Sequence, residues 1–248
     1  MDFKSGLDMF EKSRKQKVVP TGDEYLDQLL VGGFRKNFLY LLFGPPKLTT
    51  PILLKTCVNT QLIYSEHENK VGKAKVGYVD GMNKFYPYQI SKYAASLRLS
   101  PNNVLENILI SRTFTWEQMV ELLQNKIADL PEVKLLIIAG ITNLFEYEQE
   151  FYKGLHRAIR GIKKLVQKIN PIIILTAPLA KYSEYKPKGG KILQHFGSVL
   201  VLIDENERKV SYSLIQHPSE QEKTINKQKP KKQKIQPQGK DHNLDKWL

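Results

Sequence analysis

The first residues that could do chemistry follow a short apolar run. Phe38 to Phe43 (FLYLLF) reads as a buried strand, runs into Gly44, and gives way to a helical pattern. A strand, a glycine and a helix in that order form the setting of a phosphate-binding loop, whose pattern is G-x-x-x-x-G-K-[ST]. Laid on that pattern, Gly44 takes the first glycine. The second glycine falls on Thr49, the lysine on Thr50 and the Ser/Thr on Pro51. Each missing group would do separate work. The second glycine lets backbone amides approach phosphate, the lysine neutralises the β- and γ-phosphates, and the hydroxyl is a magnesium ligand. Pro51 has neither hydroxyl nor backbone N–H, and Pro45 and Pro46 remove two more amides from the cradle. The segment reads instead as an ordinary helix start, with Thr50 as N-cap and Pro51 in the first turn. Lys47 could reach a phosphate from a shifted position; the plainer reading is a solvated lysine.

A second group is basic and aromatic. Lys181 to Lys191 (KYSEYKPKGGK) holds four lysines, two tyrosines and the pair Gly189-Gly190, read as flexible. Lysines make salt-dependent phosphate contacts, and tyrosines can stack on bases. Lys181, Tyr182, Tyr185, Lys186, Lys188, Gly189, Gly190 and Lys191 are therefore candidate DNA-contacting residues, against the alternative of a mobile solvent loop. Gly154 to Lys168 adds Arg157, Arg160, Lys163, Lys164 and Lys168, whose spacing beside an Ile/Leu stripe reads as the solvent face of a surface helix. The single cysteine, Cys57, permits no disulfide framework and no Cys-based zinc site within the chain. No metal and no cofactor is expected.

The elements that must position these groups alternate. Apolar runs at Phe38–Phe43, Lys75–Asp80, Asn107–Arg112, Lys134–Gly140 and Pro171–Thr176 read as strands. Helical spacing fills Pro51 to about Ile63, Pro87–Arg98, Thr115–Ala128 and Glu150–Ile169. Continuous apolar character suits a parallel sheet covered on both faces. Ser198–Asp204 and Lys209–Gln216 then flank a polar turn, ENER, as an antiparallel hairpin. The expectation is an α/β fold: a mostly parallel central sheet flanked by helices, with a C-terminal antiparallel β-hairpin.

Composition adds bounds. Lys and Arg total 38 against 25 acids, a formal charge of +13, which favours polyanionic partners and nucleic acid first; a solvated basic surface is the alternative. The N-terminus carries no apolar core of signal-peptide length, and no run approaches the roughly 18 apolar residues of a membrane helix. A soluble, cytoplasmic protein in a reducing compartment is expected. From about residue 219 the composition shifts: Gln221 to Leu248 holds eight lysines and three acids. This reads as a disordered basic tail, with LDKWL at its end as a candidate docking motif. The expected divisions are an N-terminal segment (1–17), a core domain (18–218) and the tail (219–248).

Several segments carry a resemblance. Val18 to Phe34 (VVPTGDEYLDQLLVGGF) resembles the stretch preceding the phosphate loop in archaeal and eukaryotic RecA-type recombinases, RadA and its relatives, which read I-S-T-G-x-x-x-L-D-x-L-L-G-G-G. KVGYVDGMNKFYPYQI (75–90) is similar to their Y-I-D-T-E-G-T-F-R-P-E-R. VKLLIIAGITNLF looks like the Walker B strand, and INPIIILTAPLA sits where the family has a strand ending in T-N-Q. KPKGGKILQHF resembles the segment closing the second DNA-binding loop. The resemblance runs from about Phe3 to His217 and covers the core, without the helix-hairpin-helix domain that precedes it in RadA. It implies a RecA-like P-loop fold.

The resemblance also implies what is lost. The family's catalytic glutamate falls on Met82, the Walker B aspartate on Ala139 and the γ-phosphate-sensing glutamine on Pro178. Together with Thr50 and Pro51, five catalytic positions are substituted in one register, which argues against hydrolysis. The first DNA loop corresponds to Glu146–Tyr152 (EYEQEFY), acidic and repelling to phosphate. The family polymerises through an F-x-x-A peptide before the core, and Phe3-Lys4-Ser5-Gly6 stands there, so Phe3 and Gly6 are candidate partner-binding residues. The expected function is that of a non-catalytic paralogue, a recombination mediator or accessory subunit in homologous recombination and DNA repair. Its expected partners are a RadA-like recombinase or another paralogue subunit, single- or double-stranded DNA, and a second copy of itself. A stand-alone DNA-binding protein is the alternative, and an ATPase with a non-standard site a weaker one.

Overall fold

A computed structural model describes residue 5 and residues 16–66, 74–145 and 151–230. Eight strands make one sheet in the order β3-β2-β4-β5-β1-β6-β7-β8. Their spans are β1 Leu39–Phe43, β2 Val76–Asp80, β3 Ile108–Arg112, β4 Leu135–Ala139, β5 Ile172–Ala177, β6 Val199–Glu205, β7 Lys209–Gln216 and β8 Lys223–Gln228. Pairings from β3 through β6 are parallel; β6–β7 and β7–β8 are antiparallel. Every residue of β2, β4 and β5 is buried, as continuous apolar strands require when both faces are covered.

The pleat divides the core into two layers. Tyr40, Leu42, Tyr78, Ile137, Ile174 and Val201 face one way. That face is covered by α1 (Glu24–Leu29), α2 (Pro46–Glu66), α3 (Pro87–Ser96) and α4 (Pro101–Glu106). Leu41, Phe43, Ile138, Leu175 and Leu200 face the other way, under α5 (Trp116–Glu121) and α6 (Phe151–Ile169). Leu193 of α7 (Gly190–Phe196) packs on the same side.

Glycines set two close approaches. At Gly33 (φ +131°) an added Cβ would lie 2.2 Å from the Val19 carbonyl oxygen, across the bridge that Val19 forms with Phe34. At Gly161 it would lie 1.7 Å from the carbonyl oxygen of Leu123, so α6 rests directly on the backbone of the neighbouring turn.

Three expectations are corrected. The helix after Gly44 begins at Pro46 rather than Pro51: Pro46 is its first residue, where a missing N–H costs nothing, and the Pro45 carbonyl accepts the amides of Leu48 and Thr49 at 3.0 and 3.3 Å. Thr50 is therefore inside the helix and is not its N-cap. The helix from Thr115 ends at Glu121 and continues as a π-turn (Leu122–Lys126) and a 3-10 turn (Ile127–Asp129), where the backbone meets Gly161. The tail read as disordered from residue 219 contains β8, which pairs along Lys209–Leu214 of β7. Ion pairs at Lys227–Asp23 (3.8 Å) and Lys229–Glu205 (2.5 Å) fasten this strand and the residue after it to the core. Phe3, Gly6, the acidic residues Glu146–Glu150 and the LDKWL end lie outside the described residues.

Candidate functional site

The carboxyl ends of β1, β2, β4 and β5 line one edge of the parallel sheet, and the crevice outside such an edge is where an open α/β sheet binds its ligand. Gly44 leaves β1 with φ +147° and donates its N–H to the Ala177 carbonyl at 3.2 Å. A Cβ there would fall 1.9 Å from the Ile203 carbonyl oxygen. Steric contact with β6 alone therefore requires this glycine, whatever the loop binds.

The first turns of α2 hold the other loop positions. Thr49 and Thr50 are 1% and 5% exposed, and the buried Thr50 hydroxyl finds no hydrogen-bond partner among the described residues. Pro51 sits inside the helix and cannot donate to the Lys47 carbonyl. Lys47, the remaining cation, is paired with the carboxylate of Glu205 at the end of β6. Lys229 holds the other oxygen of Glu205 at 2.5 Å and donates to the Asn206 carbonyl at 2.8 Å. Hydrogen bonds from Lys229 and Lys47 keep the Glu205 carboxyl below its usual range. The Lys47 ammonium thus faces a carboxylate, with 71% of its side chain exposed.

Across the crevice, Asp80 is fully buried at the end of β2. One carboxylate oxygen accepts the amides of Met82 and Lys84, each at 3.2 Å, and the other accepts Phe85 at 3.0 Å. The Arg112 guanidinium lies 3.8 Å away. Asp80 so spends its charge on shaping its own loop, and that loop lays Met82 over Gly140, whose missing Cβ would be 2.3 Å from Met82 Cγ. The Ala139 carbonyl accepts the Gly81 amide at 2.9 Å, and Thr176 Oγ1 accepts from Gly140 N at 2.7 Å. The structure thus joins Met82 and Ala139 on one wall, an apolar thioether beside a methyl. Pro178 follows β5, and its carbonyl accepts the Lys188 amide at 2.8 Å. Among the described residues no three His, Cys, Asp or Glu side chains cluster to hold a metal ion.

The basic loop is closed at its base. Leu179 bridges Pro187, Ala180 N donates to the Lys186 carbonyl at 2.8 Å, and Thr142 Oγ1 donates to the Lys188 carbonyl at 2.9 Å. Lys188 itself donates to the Phe145 carbonyl at 2.6 Å, so it anchors the loop. Gly189 (φ +116°) and Gly190 (φ +56°) form the left-handed turn that starts α7, which corrects their reading as flexible. Lys181, Lys186 and Lys191 are exposed, as are Tyr182 (90%) and Tyr185 (64%). With Glu184, also exposed, these five form the open face of the loop. Sequence reasoning missed the Lys47–Glu205–Lys229 group and the part played by Asp80; an aspartate at a strand end followed by glycine was the signal for the second.

Comparison with known proteins bears on this crevice. A family-wide sequence model described as Rad51 matches residues 13–225. The meiotic recombination protein DMC1 homolog B of Oryza sativa subsp. japonica is 27% identical over 219 residues, covering 81% of this chain and 63% of the relative. The DMC1 homolog of Arabidopsis thaliana is 27% identical over 218 residues, covering 81% and 62%. The DNA repair and recombination protein RadA of Methanococcus maripaludis (strain C7) is 28% identical over 201 residues, covering 73% and 62%. The chain spans less than two thirds of these relatives' length.

Proposed function

Since the chain belongs to the Rad51 family and has its RecA-like fold, we propose that it acts in homologous recombination and DNA repair as a non-catalytic accessory subunit of an active RadA-like recombinase. The observation that carries this reading is the state of the crevice. Thr50, Pro51, Met82, Ala139 and Pro178 stand at the positions where the resemblance puts the hydrolytic groups, and Lys47 is held by Glu205. Phosphoryl transfer depends almost entirely on positioned cations, a metal and a water-orienting group, and these side chains supply none of them. The β-sheet and both helical layers nevertheless persist, so the surfaces of a recombinase subunit are kept while turnover is given up. DNA contact falls to the exposed Lys181, Tyr182, Tyr185, Lys186 and Lys191, through phosphate pairing and base stacking.

Three measurements on the full chain test the reading. Calorimetric titration with ATP and magnesium should release no binding heat and ATP turnover should stay at background with single-stranded DNA present; micromolar, magnesium-dependent binding refutes the first expectation, and turnover that survives rigorous purification refutes the loss of catalysis. Association with the cognate RadA-like recombinase should be measurable, and Phe3→Ala should weaken it. Burying one Phe side chain contributes about 1.5–3 kcal/mol, so the loss should be about 10- to 150-fold. If Phe3→Ala binds as tightly as the wild type, or if neither binds, the subunit reading fails and a stand-alone DNA-binding role replaces it.

A further inference from the structure

The outward side of α6 carries Lys153, His156, Arg157, Arg160, Lys163 and Lys164, all exposed. At about 100° per residue they fall within an arc of roughly 120°. The helix contains no acidic residue. Among the described residues no carboxylate pairs with any of these six, and an open groove runs between Lys153, His156, Arg157 and Arg160. A solvent face ordinarily mixes charges of both signs; among the described residues this one does not.

Its place in the fold adds a second observation. Phe145, whose carbonyl accepts from Lys188 at the base of the basic loop, stacks on Phe151, the first residue of α6, with ring centroids 3.9 Å apart. Lys163 lies 5.9 Å from the Phe196 ring at the end of α7, the helix that starts at the loop's Gly190. The basic face therefore begins where the loop is anchored and runs along the helix beside it.

We infer that the exposed face of α6 is a second DNA-binding site, which takes the phosphate backbone and continues the track of the loop. The inference rests on the DNA-binding part of the reading above. From Lys153 to Lys164 the helix rises about 16 Å, a length over which one strand of B-DNA carries about five phosphates. An anionic membrane is the poorer fit. A helix that lies in a lipid surface must insert its apolar face, and here Leu155, Ala158, Ile162 and Leu165 are buried in the core. Lys168 donates to the Ala128 carbonyl at 2.8 Å, so it stays with the fold.

The test measures binding of the full chain to fluorescent single-stranded and duplex oligonucleotides as salt is raised. Wild type is compared with Arg157→Gln/Arg160→Gln/Lys164→Gln and with Lys181→Gln/Lys186→Gln/Lys191→Gln. On the duplex each phosphate contact contributes about 0.9 to the slope of log affinity against log salt, so three lost contacts should flatten it by about 2.7. Between about 50 and 200 mM salt the wild-type affinity should then fall about 40-fold more than that of the helix variant. The melting temperature should be unchanged, because the three side chains touch solvent. A helix variant with the wild-type slope overturns the inference, and the loop reading survives if the loop variant alone is weakened. A helix variant that loses poly-glutamate but keeps DNA assigns the face to an acidic protein and also overturns it. Failure of the wild type to bind DNA at all removes both sites together.

Discussion

Gly161→Ala isolates the contact that sets the height of α6 on the core. The added Cβ would meet Leu123 O at 1.7 Å, Leu123 C at 2.7 Å and Gln124 Cα at 2.9 Å. All three are backbone atoms of the π-turn, so no side chain can rotate away. Reaching ordinary contact at 3.4 Å requires the helix or the turn to move by the difference, 3.4 − 1.7 = 1.7 Å. Such a shift would pull Ile162 and Leu165 out of register with Leu123 and Ile127. Overpacking of this kind costs about 1–3 kcal/mol or more, while replacing glycine in a helix returns up to about 1 kcal/mol. A net loss of about 1–2 kcal/mol follows, which for a chain of this size lowers the melting temperature by roughly 2–8 °C. Thermal unfolding followed by far-ultraviolet circular dichroism reads this directly. If Gly161→Ala melts at or above the wild-type temperature, α6 does not sit on the π-turn as described.

Asp80→Ala should destabilise by about 1–3 kcal/mol, because the buried Phe85 amide loses its acceptor while water can reach those of Met82 and Lys84; denaturant unfolding checks it, and an unchanged midpoint would contradict the role given to this carboxylate. Asp27, whose carboxyl is raised above 3.8 mainly by burial, despite the bond from Thr21 N at 2.7 Å, gives a pH signature. An acid raised on folding contributes stability that is complete below its unfolded value and lost as pH rises through the folded one. The melting temperature of the wild type relative to Asp27→Asn should therefore fall as pH climbs from below 3.8 toward neutrality, and a constant difference would refute the assignment.

Strands β2, β4 and β5 were legible because their residues answer to burial alone, and β7 because its burial alternates residue by residue. Helix α6 was legible from its period. What escaped has a physical reason in each case. Strand β8, KTINKQ, is exposed at all but one residue, so neither alternation nor hydrophobicity marks it, and only the free edge of β7 makes it a strand. The start of α2 was misplaced because Pro45-Pro46 reads as a break, whereas the second proline opens a helix. In the crevice the substituted groups were visible residue by residue. Glu205 as the partner of Lys47 was not, because 158 residues separate them and only the pairing of β1 with β6 brings them together.

The two margins of the sheet are unlike. At one, no strand lies beyond β3 among the described residues, and it shows Ile110 (45% exposed), with Phe114 (64% exposed) just beyond it. At the other, β8 ends the described sheet with Lys223 and Lys227, charges that discourage a further strand from docking. A strand added edge to edge would meet the apolar Ile110 beside β3 and the charges of Lys223 and Lys227 beside β8. The sheet carries a polarity of growth that its strand order alone does not express.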